Sequence, residues 1–154
     1  MTSRRLDPHV PRWVHLFNPI ARLLLAAGVP MGPDVLLTVR GRKTGLPRST
    51  PVAVAEIAGR WWLIGPFGEV DWVKNLRAAG HGTLTIRRAR EEFTATELGT
   101  VDKIRFFRDI LEPYLRTNRL ARWFVRTLDR IPEDPVEAAE SQIVFEVHRN
   151  RSAR

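Results

Sequence analysis

The chain has 154 residues, of which 44% are hydrophobic and 27% charged, with no cysteine and a formal net charge of +8. That length can bury a full core without cross-links, and the lack of cysteine excludes disulfide frameworks, thiolate metal sites and cysteine nucleophiles. The positive balance suits polyanions, anionic lipid surfaces or phosphorylated small molecules, and no run approaches the roughly 18 apolar residues of a membrane-spanning helix.

In chain order, Met1 to Val10 is polar and proline-containing, which reads as a loose arm. Trp13, Leu16, Phe17, Ile20 and Leu24 then recur at helical spacing, while Asn18-Pro19 offers an N-cap and first-turn proline for a second short helix. Two readings fit this amphipathic segment: a helix covering one end of the core, or peripheral contact with a membrane surface. Val35 to Val39 reads as a first strand and Arg48 to Ile57 as a second, with Pro51 marking an edge or an interruption of the ladder. Between them lies Gly41-Arg42-Lys43-Thr44-Gly45. Glycines at both ends let the backbone approach a ligand, so this loop is either a solvated hairpin connection or an anion cradle.

Ala58-Gly59 turns the chain into a third strand, Arg60 to Ile64, where Trp61 and Trp62 point to opposite faces and one of the two is expected to be exposed or at an interface. After Gly65-Pro66-Phe67-Gly68, Asp71 to Ala79 reads as a short helix with Asp71 at or near its N-cap and Gly80 as its stop. Gly82 to Arg87 and Glu92 to Leu98 form a hairpin across Arg88-Ala89-Arg90. Thr100 looks like the N-cap of a helix running to Glu112 and ended by Pro113. A further helix starts near Asn118, with Leu120, Trp123, Phe124, Leu128 and Ile131 on its apolar face and Arg119, Arg122, Arg126 and Arg130 on another. That helix either covers the core with its arginines in water or rests on anionic lipid or nucleic acid. Pro132 and Pro135 separate it from a closing strand, Gln142 to His148, and the tail from Arg149 is basic.

Catalytic side-chain sets are missing from this pattern. His9, His15, His81 and His148 form no pair at helical metal-binding spacing, so no metal site is expected; neither a nucleophile-elbow serine motif nor a dinucleotide-binding glycine fingerprint occurs. A binding site without an evident side-chain catalyst suits a redox cofactor, which carries the hydride chemistry while the protein supplies orientation and electrostatics. The catalytic residues themselves stay unassigned.

The series G-R-K-T-G-x-P-R-x-x-P, then G-x-F-G, then D-W-x-x-N-L-R-A, over Val35 to Leu98, resembles the deazaflavin-dependent nitroreductase family of split-barrel proteins that bind coenzyme F-420. The resemblance implies an α+β fold: a mainly antiparallel split β-barrel of the flavin-mononucleotide-binding type, with helices at the N-terminus, between strands and before the last strand. It implies one domain over 1–154, with arm and helix at 1–30, barrel at 35–148, a helical insertion at about 100–131 and a basic tail at 149–154. Arg42, Lys43 and Thr44 are expected to hold the coenzyme's phosphate and carboxylate tail. Arg48, Ser49, Thr50, Pro51, Val52 and Ala53 are expected beside the deazaflavin ring, Ile64, Gly65, Pro66 and Phe67 opposite, and Asp71, Trp72, Val73, Lys74 and Asn75 near the tail. The activity implied is a cytoplasmic oxidoreductase passing hydride to a small apolar or conjugated acceptor such as a quinone or nitro compound. Flavin mononucleotide in the same groove, or a non-catalytic cofactor or polyanion binder, are the alternatives. The short loop Gly68-Glu69-Val70 and the single tyrosine, Tyr114, depart from nitro-reducing relatives. Partners are a small-molecule acceptor, with anionic membrane contact an option and nucleic acid disfavoured by the few aromatics among the clustered arginines; the chain is expected to be a monomer or a homodimer.

Overall fold

The computed structural model of the chain describes residues 34–127 and 131–150. The N-terminal arm and helix, Leu128 and Arg130, and the tail beyond Asn150 lie outside the described residues. Six antiparallel strands close into a barrel in the order β1-β2-β3-β6-β5-β4: β1 Asp34–Arg40, β2 Pro47–Ile57, β3 Arg60–Gly65, β4 His81–Ile86, β5 Ala89–Glu97 and β6 Ile143–Arg149. Helix α1, Asp71–Ala79, joins β3 to β4. Between β5 and β6 come α2 Thr100–Arg105, a π-helical stretch Phe106–Leu111, α3 Glu112–Thr117, α4 Arg119–Thr127 and α5 Pro135–Ser141.

Strand alternation builds two cores. Leu37, Val39, Val52, Leu63, Leu84, Phe93 and Phe145 point inward, and α1 adds Val73 and Leu76 to the same barrel core. The opposite face of β3 and β6 carries Trp62, Ile64 and Val144, onto which the helices pack Phe106, Phe107, Leu111, Leu115 and Ala138. This second layer corrects the expectation for the tandem tryptophans. Both are buried: Trp61 faces the barrel interior, whereas Trp62, 2% exposed, lies 5.1 Å from Phe106 ring to ring beneath the helices.

Several local expectations shift for identifiable reasons. The β4–β5 connection is the two-residue turn Arg87-Arg88, both at positive φ, rather than Arg88-Ala89-Arg90. Positive φ at both central positions is normally supplied by Asn or Gly, so its chemical signature was missing. Pro113 does not end the helix. The Glu112 N–H reaches Phe107 C=O, one residue beyond the usual α-helical partner, and this wider π turn lets Pro113 enter the chain as an early residue of α3. Gly99, not Thr100, takes the N-cap position of α2, whereas in α1 Asp71 lies next to the N-cap Val70, as expected.

A short helix, α5, lies between the arginine-rich helix and the closing strand, where the sequence marked only two prolines. The Asp134 carboxylate accepts from the N–H groups of Val136 and Glu137 at 3.0 and 2.9 Å, with Pro135 in the first helical position. In α4, Asn118 accepts from the Ala121 N–H at 3.0 Å and serves as cap, but the expected faces are rearranged. Trp123 is 58% exposed, while Arg126 turns inward to donate to the carbonyls of Ile131 and Pro132 and to Glu112.

Candidate functional site

The first strand delivers its last residue, Arg40, to the loop Gly41–Leu46, which closes on itself. The Gly41 N–H donates to Leu46 C=O at 2.8 Å and the Gly45 N–H to Gly41 C=O at 2.9 Å. Gly45 sits at φ +71°, a backbone state that glycine adopts without a Cβ penalty. The loop is then pinned from outside. Asn75 on α1 accepts from the Arg42 N–H at 3.1 Å and from Arg42 Nη1 at 2.8 Å, and Asp71 accepts from Arg42 Nη2 at 3.1 Å. Asp71 and Asn75 are four residues apart, so one face of a single helix presents both groups to Arg42.

The Asn75 contacts carry the anchor. Asn75 is 5% exposed and its amide oxygen serves two donors, whereas the Asp71 carboxylate is largely in water and such an ion pair contributes little. Helix α1 is in turn fixed at its far end by Arg77, which forks between Glu69 and Glu97 with four bonds of 2.6–2.8 Å. Bonding to Glu97 and then to Glu69 raises the pKa of Arg77, and the bond from Arg77 holds Glu69 below its ordinary 4.5 against the opposing effect of burial.

The remaining expected residues divide by strand parity and depth. Lys43, Thr44 and Arg48 are exposed around the loop, with no ion pair to Lys43 or Arg48 among the described residues, and Lys74 is half-buried on α1. Thr44 Oγ1 accepts from the Leu46 N–H at 3.3 Å. Ser49 Oγ and Thr38 Oγ1 lie 2.8 Å apart on the outer face, with Thr50, Pro51 and Ala53 half-buried along β2. Strand β2 runs through Pro51 unbroken: it pairs with β1 from Pro47 to Ala53, but with β3 only from Ala53 onward. Pro47 to Val52 therefore form a strand edge on the β3 side. Gly65 closes β3 against α1, since a Cβ there would stand 3.3 Å from the Trp72 ring and 3.2 Å from Val73. Pro66 and Phe67 follow, half-buried.

Three expected residues are placed elsewhere. Val52 and Val73 point into the barrel core and Ile64 points beneath the helical layer, so these side chains are not brought to the loop. Sequence reasoning put Asn75 near a ligand and missed that it holds Arg42 in place. Its W-x-x-N-L context marked the residue without showing the partner 33 positions upstream. No cluster of His, Asp and Glu able to hold a metal occurs among the described residues.

A closed six-stranded antiparallel barrel, with helices over one face and an anchored, glycine-bounded cationic loop between its first two strands, is the architecture of a split-barrel protein. The sequence pattern of the F420H(2)-dependent quinone reductase family matches residues 23–130, and the chain belongs to that family. It is an oxidoreductase whose cofactor is coenzyme F-420. No curated protein matches the chain. Among solved structures, one described as a domain-swapped dimer is 19% identical with a TM-score of 0.52, covering 88% of this chain and 97% of its own, and shares the fold. An F420-H2 dependent reductase, FDR-A, is 20% identical with a TM-score of 0.48, covering 75% and 94%. A candidate pyridoxamine 5′-phosphate oxidase from Listeria innocua is 11% identical with a TM-score of 0.48, covering 78% and 86%.

Proposed function

We propose that the chain reduces a quinone-like acceptor, with the anionic end of coenzyme F-420 held by the loop Gly41–Gly45 and its ring system laid along the edge of β2 from Arg48 to Ala53. The observation that carries this reading is the division of labour in the loop. Arg42 is consumed by Asn75 and Asp71 and acts as a structural pin, which leaves Lys43, Arg48 and the Thr44 hydroxyl to face a phosphate or carboxylate. The reduced deazaflavin supplies the hydride. The β3 side of β2 before Ala53, where the β2–β3 ladder does not extend among the described residues, offers backbone groups to a planar polar edge, while Pro51 and Phe67 offer apolar contact. Helix α1 has no side-chain cap, and its first-turn N–H groups favour negative charge nearby.

A fluorescence titration of the coenzyme against wild type and Lys43→Ala tests the cradle. Lys43 is exposed and makes no ion pair among the described residues, so the variant should keep its melting temperature and lose about tenfold in affinity, the worth of one charge-assisted contact. Unchanged affinity overturns the cradle. Turnover with a naphthoquinone and not with a nitroaromatic compound would fix the acceptor class.

Trp123 supports a second element of this reading, contact with an anionic membrane surface where apolar quinones dissolve. It stands exposed on the face of α4 that also carries the exposed Arg119 and Arg122, an aromatic ring between cations that suits a lipid interface. Among the described residues no helix is long and apolar enough to cross a membrane. Flotation with phosphatidylglycerol vesicles, but not with neutral ones, and its loss in Trp123→Ser, is the expected result; equal flotation of wild type and variant removes this face from the interaction.

A further inference from the structure

On the outer face of the barrel, where β1, β4 and β5 lie side by side, a cavity of about 620 Å³ opens beneath the loop that carries Arg42. Its walls are the outward positions of the three strands. In register, Thr38 stands opposite Thr83, Thr83 opposite Glu92, and His81 opposite Thr94. Arg40 ends β1 at one corner and Arg90, the second residue of β5, stands at the diagonally opposite one. Strand spacing and rise put their Cα atoms about 16 Å apart, so two extended guanidinium side chains bracket a space several ångströms long.

Arg60, Arg77, Arg108, Arg126 and Arg149 each meet a carboxylate, whereas neither Arg40 nor Arg90 has an ion pair or side-chain hydrogen bond among the described residues. Arg40 nevertheless has a defined place: a Cβ on Gly45 would come within 3.2 Å of its Nη2, so the guanidinium lies across the loop at the cavity rim. Between the two cations the lining carries threonine hydroxyls, the His81 imidazole and the carboxylate of Glu92, together with Val39, Pro47, Gly82 and Phe93. The volume falls within the range of small-molecule sites.

We infer that this cavity binds an elongated free dicarboxylate with its charged ends on Arg40 and Arg90 and its middle on Thr38 and Thr83, at a site that adjoins the coenzyme cradle at Gly45 and Pro47 but does not use its cations Lys43 and Arg48. Two features follow from the lining. A monoanion meets only one guanidinium, and a dianion with its charges close together cannot reach both. Glu92 repels any charge placed at mid-length, which selects against compact polyanions.

The test is a titration of the full-length protein with adipate, acetate and inorganic phosphate, read by amide chemical shifts of Thr83, Thr94 and Asn150, with and without saturating coenzyme F-420. Adipate should bind about tenfold more tightly than acetate or phosphate, as expected for a second charge-assisted contact. Arg90→Gln should remove that advantage, whereas Arg87→Gln, the same charge change at the neighbouring hairpin tip outside the cavity, should leave it intact. Glu92→Gln should tighten phosphate. Equal losses in Arg87→Gln and Arg90→Gln would reduce the effect to overall charge and overturn the site. Displacement of adipate by the coenzyme would overturn its separateness, and unchanged affinity in its presence supports it.

Discussion

Asn75 Oδ1 accepts two hydrogen bonds from one residue, the backbone N–H of Arg42 at 3.1 Å and its Nη1 at 2.8 Å, and so ties the loop between β1 and β2 to the helix that plugs the barrel. An acceptor with two donors in a buried position is costly to remove, because both donors are then left to find water through a packed surface. Asn75→Ala is expected to lower stability by about 1–3 kcal/mol and to weaken coenzyme binding with it. Asn75→Asp separates the two effects. It keeps the acceptor and adds an ion pair to Arg42, so the melting temperature should hold, while the new negative charge beside the cradle lowers coenzyme affinity. Thermal denaturation and a coenzyme titration on the two variants check this, and parallel losses in both would mean that Asn75 acts only on folding.

The stretch from Arg40 to Asn75 was legible because its punctuation is chemical. Gly41 and Gly45 bound the loop, Ala58-Gly59 makes the β2–β3 turn, and apolar residues alternate along β1 and β2 with the period of the observed core. What escaped was whatever depends on a partner far along the chain. Arg42 and Asn75 are 33 residues apart, and nothing local says that the first cation of the loop is a pin and the second is free. One of the two tryptophans was expected at the surface or an interface because strand alternation gives two faces without saying that a helical layer covers the second. Helix α5 is seven residues long and begins at Pro135, too short for a periodicity, and only the Asp134-Pro135 cap marked it. The arginine-rich turn at Arg87-Arg88 adopts a conformation that its residue types do not favour.

Ala58 occupies a comparable turn at φ +52°, followed by Gly59 at +75°. A left-handed backbone places the alanine Cβ against the following carbonyl at a cost of about 1–2 kcal/mol. Ala58 is exposed, so Ala58→Gly removes that strain and little packing. The expected outcome is a gain of up to about 1 kcal/mol in urea denaturation, the strain relieved being partly offset by the freer unfolded chain. A loss of stability would show that the turn is not strained.

Gly82 gives the opposite result. A Cβ there would lie 2.8 Å from Thr38 C=O and 2.8 Å from Val39 Cγ1, closer than packed atoms tolerate, and one of those neighbours is backbone. Gly82→Ala must push β4 away from β1 along a seam of only three paired positions, Leu36 to Thr38 with Thr83 to Thr85. Destabilisation of about 1–3 kcal/mol is expected, with faster amide hydrogen exchange at Leu37 and Leu84 than elsewhere in the barrel. Uniform exchange would mean that the seam absorbs the methyl group.

Glu69 makes the fold acid-sensitive through a single fork. Its carboxyl is held below the ordinary 4.5, first by the hydrogen bond from Arg77 and despite the opposing effect of burial. A folded-state value below the unfolded one means that the unfolded chain takes up the proton first as pH falls, so the contribution is complete above about 4.5 and is lost as pH drops through the lowered folded value. Both side chains are about two-fifths exposed, which limits the contribution to less than about 1 kcal/mol. Glu69→Gln should therefore lower the urea midpoint at pH 7 and converge with wild type once pH has fallen through the lowered folded value. A gap between the two proteins that stayed constant with pH would show that Glu69 acts through packing rather than through its charge on Arg77.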